Sequence, residues 1–209
     1  MRATALVVAV LCAVAPAMAQ GYALDFSSAD ALQSVALDGR QMYVEEDGCV
    51  LLRGGSSMYA MQKTGPGTYH VRFAMIEAED FQYHVPLVEF FKADAQDPGS
   101  DGYAINWQPW GMLTLTATVG GERVHSREFI DPGRGNPNRY PSGEPVDMTL
   151  RIPPEGDCVE VYCHSTEAIG EPTYRFKLLD LPLEGHFGWR NTKWYSHACI
   201  YQVGYEAGE

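Results

Sequence analysis

The stretch LTLTATVGG, residues 113–121, decides the fold class. Leu113, Leu115, Ala117 and Val119 alternate with Thr114, Thr116 and Thr118, and Gly120-Gly121 follows where a tight hairpin turn belongs. A period of two places one strand face on a core and leaves the other to water. The same alternation recurs in Tyr69-Val71-Phe73-Met75, Val146-Met148-Leu150-Ile152, Val159-Val161-Cys163 and Tyr174-Phe176-Leu178. No apolar spacing of i, i+3, i+4, i+7 persists beyond two turns. The single helical turn expected lies near Ser27–Leu32, where Ser27 or Ser28 can cap Ala29-Asp30-Ala31-Leu32. About a dozen short strands separated by Gly, Pro, Asn and Asp, with no internal repeat, predict an all-β chain of two packed antiparallel sheets, a β-sandwich rather than a propeller. The Pro/Gly-rich segment Asp131–Pro145 has strand-like sequence on both sides and reads as a long surface loop, not a domain boundary.

Composition agrees. In 209 residues, 45% are hydrophobic and 11% aromatic, too many for a disordered or collagen-like chain, and the 21 glycines and 13 prolines exclude a coiled coil. At the start, MRATALVVAVLCAVAPAMAQ combines Arg2, an apolar run from Ala5 to Ala15, the breaker Pro16 and Ala17-Met18-Ala19. This predicts a signal peptide over residues 1–19, cleaved before Gln20, and one domain over residues 20–209 in a secreted or periplasmic product. The apolar run is too short for a permanent membrane anchor, so no membrane insertion is expected. Cleavage removes one Arg and no acid, leaving 14 basic against 27 acidic residues, a net charge of −13. An acidic surface of that size argues against nucleic acid, anionic membranes and highly anionic polysaccharides as partners, and favours neutral sugars among glycans.

After cleavage four cysteines remain: Cys49, Cys158, Cys163 and Cys199. Cys158 and Cys163 bracket the strand-like CVEVYC, whose extended length of about 16 Å is beyond the reach of a disulfide. Bridges, if formed, are expected to join Cys49 and Cys199 to that pair, with four free buried thiols as the competing reading. A zinc site is disfavoured, because there is no C-x-x-C and His164 adjoins Cys163 on the opposite face of its strand.

Near the C-terminus, GHFGWRNTKWYSHACIYQVGYE (residues 185–206) resembles the closing strands of concanavalin A-like (laminin-G-like) jelly rolls, including secreted 3-keto-disaccharide hydrolase-like domains. Leu24-Asp25-Phe26, the Glu46–Leu51 turn and strand, Tyr69–Phe73 and Asp101–Trp107 agree in order. The resemblance covers most of the mature chain and rests on structural motifs. It implies that Tyr22–Phe26 lies beside Ile200–Tyr205. It also implies carbohydrate as the ligand class: a glycan-binding domain first, a polysaccharide-active enzyme (a lyase or atypical glycoside hydrolase) or a structural protein-interaction domain as the alternatives.

For the chemistry, a laminarinase-type hydrolase needs E-x-D-x-x-E on one strand so that two carboxylates flank the glycosidic bond, and no strand carries it. Glu77-Ala78-Glu79-Asp80 falls at a strand end and reads as a solvated turn. Gln82-Tyr83-His84 is similar to the Gln-x-His element of jelly-roll alginate lyases, which makes Gln82 and His84 the catalytic candidates, against an ordinary half-exposed histidine beside Pro86. The polar strand faces offer His70, Arg72, Asn106, Gln108 and Arg190, and the loops offer Trp110 and Trp194 as flat platforms for sugar rings. Trp107 and Trp189 read as core residues by parity, with stacking on sugar as the competing reading. One groove is expected, with the polar side chains as its floor and the Trp110 and Asp131–Pro145 loops at its rim. No cofactor is expected beyond a structural calcium ion, for which Asp94, Asp97 and Asp101 crowd one loop, with a hydrated acidic loop as the competing reading.

Overall fold

The protein is seen in a computed structural model that describes residues 21–39, 41–44, 46–76, 87–124, 137–191 and 197–208, the side chains of Met42 and Leu87 excepted. The predicted signal peptide lies outside these residues. Fifteen strands run in order among them: β1 (Tyr22–Asp25), β2 (Val35–Asp38), β3 (Gln41–Val44), β4 (Cys49–Leu52), β5 (Ser56–Thr64), β6 (Gly67–Ile76), β7 (Leu87–Lys92), β8 (Gly102–Trp107), β9 (Leu113–Val119), β10 (Glu122–Val124), β11 (Val146–Ile152), β12 (Cys158–Cys163), β13 (Tyr174–Lys177), β14 (Gly185–Asn191) and β15 (His197–Ala207). The expected helical turn is a short 3-10 helix, Ala29–Ser34, with Ser28 at its N-cap accepting from the Asp30 amide.

Every pairing is antiparallel, and the strands form two sheets. Sheet A runs β13-β12-β11-β6-β15-β4-β3, and sheet B runs β10-β9-β8-β7-β14-β5-β2. Strand β15 is the spine of sheet A. It pairs along one side with β6, and along the other first with β4 and then with β1, where Tyr22 opposes Tyr205 as the family resemblance implied. A register shift between Ile200 and Gln202 marks the change of neighbour. Alternate residues of both sheets fill the interior, among them Tyr69, Phe73, Leu115, Leu150, Phe176 and Trp189. Trp107 and Trp189 are both buried, as parity requires.

Strand β7 breaks the alternation. In β7, Phe90 and Phe91 are consecutive yet both in the core, which is possible because Phe91 takes φ 54°, a left-handed conformation rare for a bulky residue. The kink turns Lys92 to the outer face of sheet B, the side on which Glu89 already lies. Both side chains are buried there, beneath the loop that connects β7 to β8. Lys92 donates to the carbonyls of Pro98 and Ser100, and Arg190 donates to that of Pro98. Tyr59 donates its hydroxyl to Glu89, and the Lys92 and Arg190 nitrogens each stand 3.9 Å from the carboxylate. Burial is the main influence on Glu89 and Lys92, raising the carboxyl and lowering the ammonium, with the neighbouring opposite charges working against it.

Two outcomes follow for stability. Between the ordinary carboxylate value of about 4.3 and the raised folded value, Glu89 takes up a proton on folding, so its contribution declines as pH rises through that window. In urea titrations, wild type relative to Glu89→Gln is therefore expected to be most stable at the acidic end and to lose ground towards neutrality. The opposite slope would show that Lys92 and Arg190 hold the carboxyl ionised. Gly188, opposite both Glu89 and Tyr59, leaves no space for a side chain: an added Cβ would lie 2.1 Å from the Met58 carbonyl oxygen. Gly188→Ala should lower the unfolding free energy by about 3 kcal/mol, read from the denaturation midpoint.

Candidate functional site

The outer face of sheet B is built in rows across its strands. One row is Thr116, Ala104, Glu89, Gly188 and Tyr59; the next is Thr114, Asn106, Arg190 and Ser57, with the backbone of Leu87 between Asn106 and Arg190. Asn106 points outward because Ile105 and Trp107 on either side of it fill the core, and Arg190 does so because Trp189 is buried. Gln108 continues the outward parity of Asn106 into a tight turn, in which the Gly111 amide donates to the Gln108 carbonyl at 2.7 Å and the Gln108 amide to that of Met112 at 2.8 Å. Gly111 has φ 89°, which lets the turn close. Within this face the amide oxygens Oδ1 of Asn106 and Oε1 of Gln108 are buried, with no hydrogen-bond partner among the described residues.

Trp110 sits at the tip of that turn. Residues 137–141 lie against it, because the Tyr140 amide donates to the Pro109 carbonyl at 3.1 Å, the Tyr140 hydroxyl to the Trp107 carbonyl at 2.7 Å, and the Trp107 indole N–H to the Asn138 carbonyl at 2.9 Å. The buried Tyr140 ring also packs edge-on against Trp107 and Phe73. Between the turn and this segment opens a cleft of about 500 Å³ lined by Pro109, Trp110, Arg139, Tyr140 and Pro141. Two flat rings, two prolines and one guanidinium make a surface that can stack on a ring and hydrogen-bond its edge. The described part of the Asp131–Pro145 loop thus stands beside the Trp110 turn, as expected; residues 131–136 lie outside the described residues.

The single groove does not form. His70 and Arg72 lie on β6, in sheet A, whereas Asn106 and Arg190 belong to sheet B and Gln108 to the turn that follows β8, so the two sets face opposite sides of the sandwich. Alternation decides which face a side chain takes, but it carries no information about which sheet its strand joins. On sheet A, Asp147 engages both residues, His70 Nε2 at 3.0 Å and Arg72 at 3.5 Å. Further across that sheet, Glu160 binds Arg175 and accepts from the Tyr162 hydroxyl at 3.1 Å, with Arg151 3.7 Å away. A second cleft of about 490 Å³ adjoins it, lined by Glu155, Asp157, Cys158, Glu160, Arg175 and Lys177 together with Pro153.

Trp194, Gln82, His84 and the Glu77–Asp80 cluster fall outside the described residues. The three aspartates proposed for calcium do not converge. Asp94 accepts from the Gln96 amide at 2.8 Å, Asp97 from the Gly99 amide at 2.8 Å, and Asp101 from the Gly121 amide at 3.2 Å. No group of three or more His, Cys, Asp or Glu side chains suited to a metal ion occurs among the described residues. Of the two readings of the cysteines, bridges to Cys158 and Cys163 or free thiols, the structure has the second: Cys49 and Cys199 lie on the adjacent strands β4 and β15, the other two lie on β12, and all four are free thiols. Glu89 and Tyr59 escaped the sequence reading. The signal that could have found them is Phe90-Phe91, two bulky aromatics in succession inside an alternating strand, which marks a bulge and so places Glu89 and Lys92 on one face.

No protein-family model matches the chain, and no curated protein matches it. Solved structures do. A carbohydrate binding module, CBM66 from Bacillus subtilis, superposes with a TM-score of 0.59 at 14% identity over 81% of this chain and 93% of its own. A β-1,3-1,4-glucanase (lichenase) derived from a mouse hindgut metagenome gives 0.60 at 14% identity over 90% and 99%. The carbohydrate recognition domain of Emp47p gives 0.64 at 14% identity over 90% and 96%. At these identities the likeness is one of fold, and the fold is the concanavalin A-like jelly-roll β-sandwich.

Proposed function

We propose that this chain is a glycan-binding domain that holds sugar at the Trp110–Arg139 cleft and along the adjoining outer face of sheet B. The observation that carries the reading is the cleft itself: Trp110 and Arg139, from two separate segments, are held beside one another by the buried Tyr140, at the end of a face that bears Asn106, Gln108 and Arg190. Indole and proline surfaces stack on pyranose rings, and amide and guanidinium groups bond hydroxyls. Asn106 and Gln108, half-buried on the adjoining face, carry amide groups of the kind that bond sugar hydroxyls. The carbohydrate binding module and the carbohydrate recognition domain among the similar structures are in keeping with this reading. We further propose that the protein acts outside the cytoplasm, on the strength of its first nineteen residues; no helix among the described residues is long and apolar enough to cross a membrane.

A second reading, a polysaccharide-active enzyme, draws on Glu89, a carboxyl kept towards its protonated form on the same face. A glycosidase of the retaining kind needs a second carboxyl about 5 Å away, and the neighbouring outward positions of Glu89 are Ala104 and Gly188. Binding is therefore the better supported of the two.

Affinity electrophoresis in gels containing neutral or uronic polysaccharides, with assays for new reducing ends and for unsaturated products, separates the readings. Retardation without product supports binding; product formation would move the assignment to an enzyme. In a retarding gel, Trp110→Ala should weaken affinity by about 1–3 kcal/mol while leaving the melting temperature nearly unchanged. Arg72→Ala, on the opposite sheet, should leave affinity as it was. If Arg72→Ala abolishes retardation and Trp110→Ala does not, the ligand lies on sheet A and the proposed site is wrong.

A further inference from the structure

The outer face of sheet A carries a small apolar cluster separate from the main core. Cys49, Ala74 and Cys199 are its buried members, with Val44, Leu51 and Tyr201 packed partly against them. Leu51 of β4 opposes Cys199 of β15 and Val50 opposes Ile200, so Cys49 lies two residues along β4 from the partner of Cys199, on the same face and diagonal to it. In a flat antiparallel ladder such a diagonal is about 7 Å, too long for a disulfide. Here β15 shifts register against β6 between Ile200 and Gln202, at the end of its pairing with β4, and a bulge of that kind bends the strand and increases its twist. Both cysteine side chains are buried in this one cluster, which sets them close together across β4 and β15.

We propose that Cys49 and Cys199 form a disulfide that ties β4 to β15 when the chain folds under oxidising conditions, and that Cys158 and Cys163 stay reduced. With oxidised glutathione as the oxidant, the Cys199 thiolate attacks one of its sulfurs, the glutathione S–S bond breaks and one glutathione leaves as thiolate. Cys49 then gives up its proton, and its sulfur attacks the Cys199 sulfur of the mixed disulfide, expelling the second glutathione. Two cysteine thiols are oxidised, one glutathione disulfide is reduced to two thiols, and the protons end there. Both sulfurs are buried once β15 has docked, with Cys49 at 0% and Cys199 at 2% exposure, so the exchange belongs to the folding chain rather than to the finished domain. The bond closes a loop that includes all of sheet B except β2, together with β6 and β11–β13 of sheet A.

The test is to refold the chain from denaturant in excess oxidised glutathione, alkylate the remaining thiols and map peptides without reduction. The expected result is a Cys49 peptide linked to a Cys199 peptide, with neither Cys158 nor Cys163 in any intramolecular link. Recovery of Cys49 and Cys199 unlinked, or of either linked to Cys158 or Cys163, overturns the proposal. Melting the oxidised protein with and without reductant gives a second readout. The oxidised form should melt about 10 °C higher, and a Cys49→Ala/Cys199→Ala chain should melt alike in both conditions. An oxidised form that melts no higher than the reduced one also overturns it, because the strands would then be strained rather than pinned.

Discussion

Phe73 of β6 and Trp189 of β14 meet across the sandwich with ring centroids 4.5 Å apart, and the direction of every neighbouring side chain follows from that contact. Once Phe73 faces inward, Arg72 must face outward from sheet A; once Trp189 faces inward, Arg190 must face outward from sheet B. Trp107 and Tyr140 join the same aromatic seam through Phe73, and through them the seam reaches the surface. Tyr140 links the core to the proposed site, since the ring that fills the core belongs to the segment that presents Arg139 beside Trp110. The cleft is thus as firmly placed as the core beneath it, although it is built from a turn and a loop.

Much of the fold was legible in the chain because burial imposes a period of two, and Leu113–Val119 or Tyr69–Met75 can satisfy that period in one way only. The pairing of the two ends was legible through the resemblance of residues 185–206 to known closing strands. What local sequence does not encode is sheet membership. His70 and Asn106 have equivalent patterns around them, yet their strands end in different sheets, because partners are chosen among segments far apart in the chain. For the same reason the neighbourhood of Cys49 could not be read: its closeness to Cys199 depends on β15 lying between β6 and β4. Within the site, the Trp110 turn was visible from Trp-Gln-Pro-Trp, but Arg139 was not, since its relevance depends on where Tyr140 anchors.

The buried group formed by Tyr59, Glu89, Lys92 and Arg190 works against stability in one respect and for order in another. Removing an ammonium and a carboxylate from water is costly, and the costs are offset here by contacts with each other and with loop carbonyls. Pro98 accepts from two cations whose strands are neighbours, so the loop after β7 is held over the polar face by charge instead of apolar packing. That leaves the outer face of sheet B roofed over Glu89 and Lys92. The left-handed Phe91 is what makes the arrangement possible, because an unbroken alternation would have turned either Lys92 or Phe91 the wrong way.

The pairing of β1 with β15 also has a mechanical side. Tyr22 opposes Tyr205 and Asp25 opposes Gln202, so the first strand enters and the last strand leaves at the same end of one antiparallel ladder. Tension between the two would open that ladder one rung at a time, Tyr22–Tyr205 first, instead of loading all its hydrogen bonds together in shear. Peeling would continue to the register shift near Tyr201, whose carbonyl accepts from the Phe26 amide, and there β1 has come away while β15 still holds β4 and β6. Under a pull of that kind, the domain would yield early along its first strand and keep its two sheets to the end.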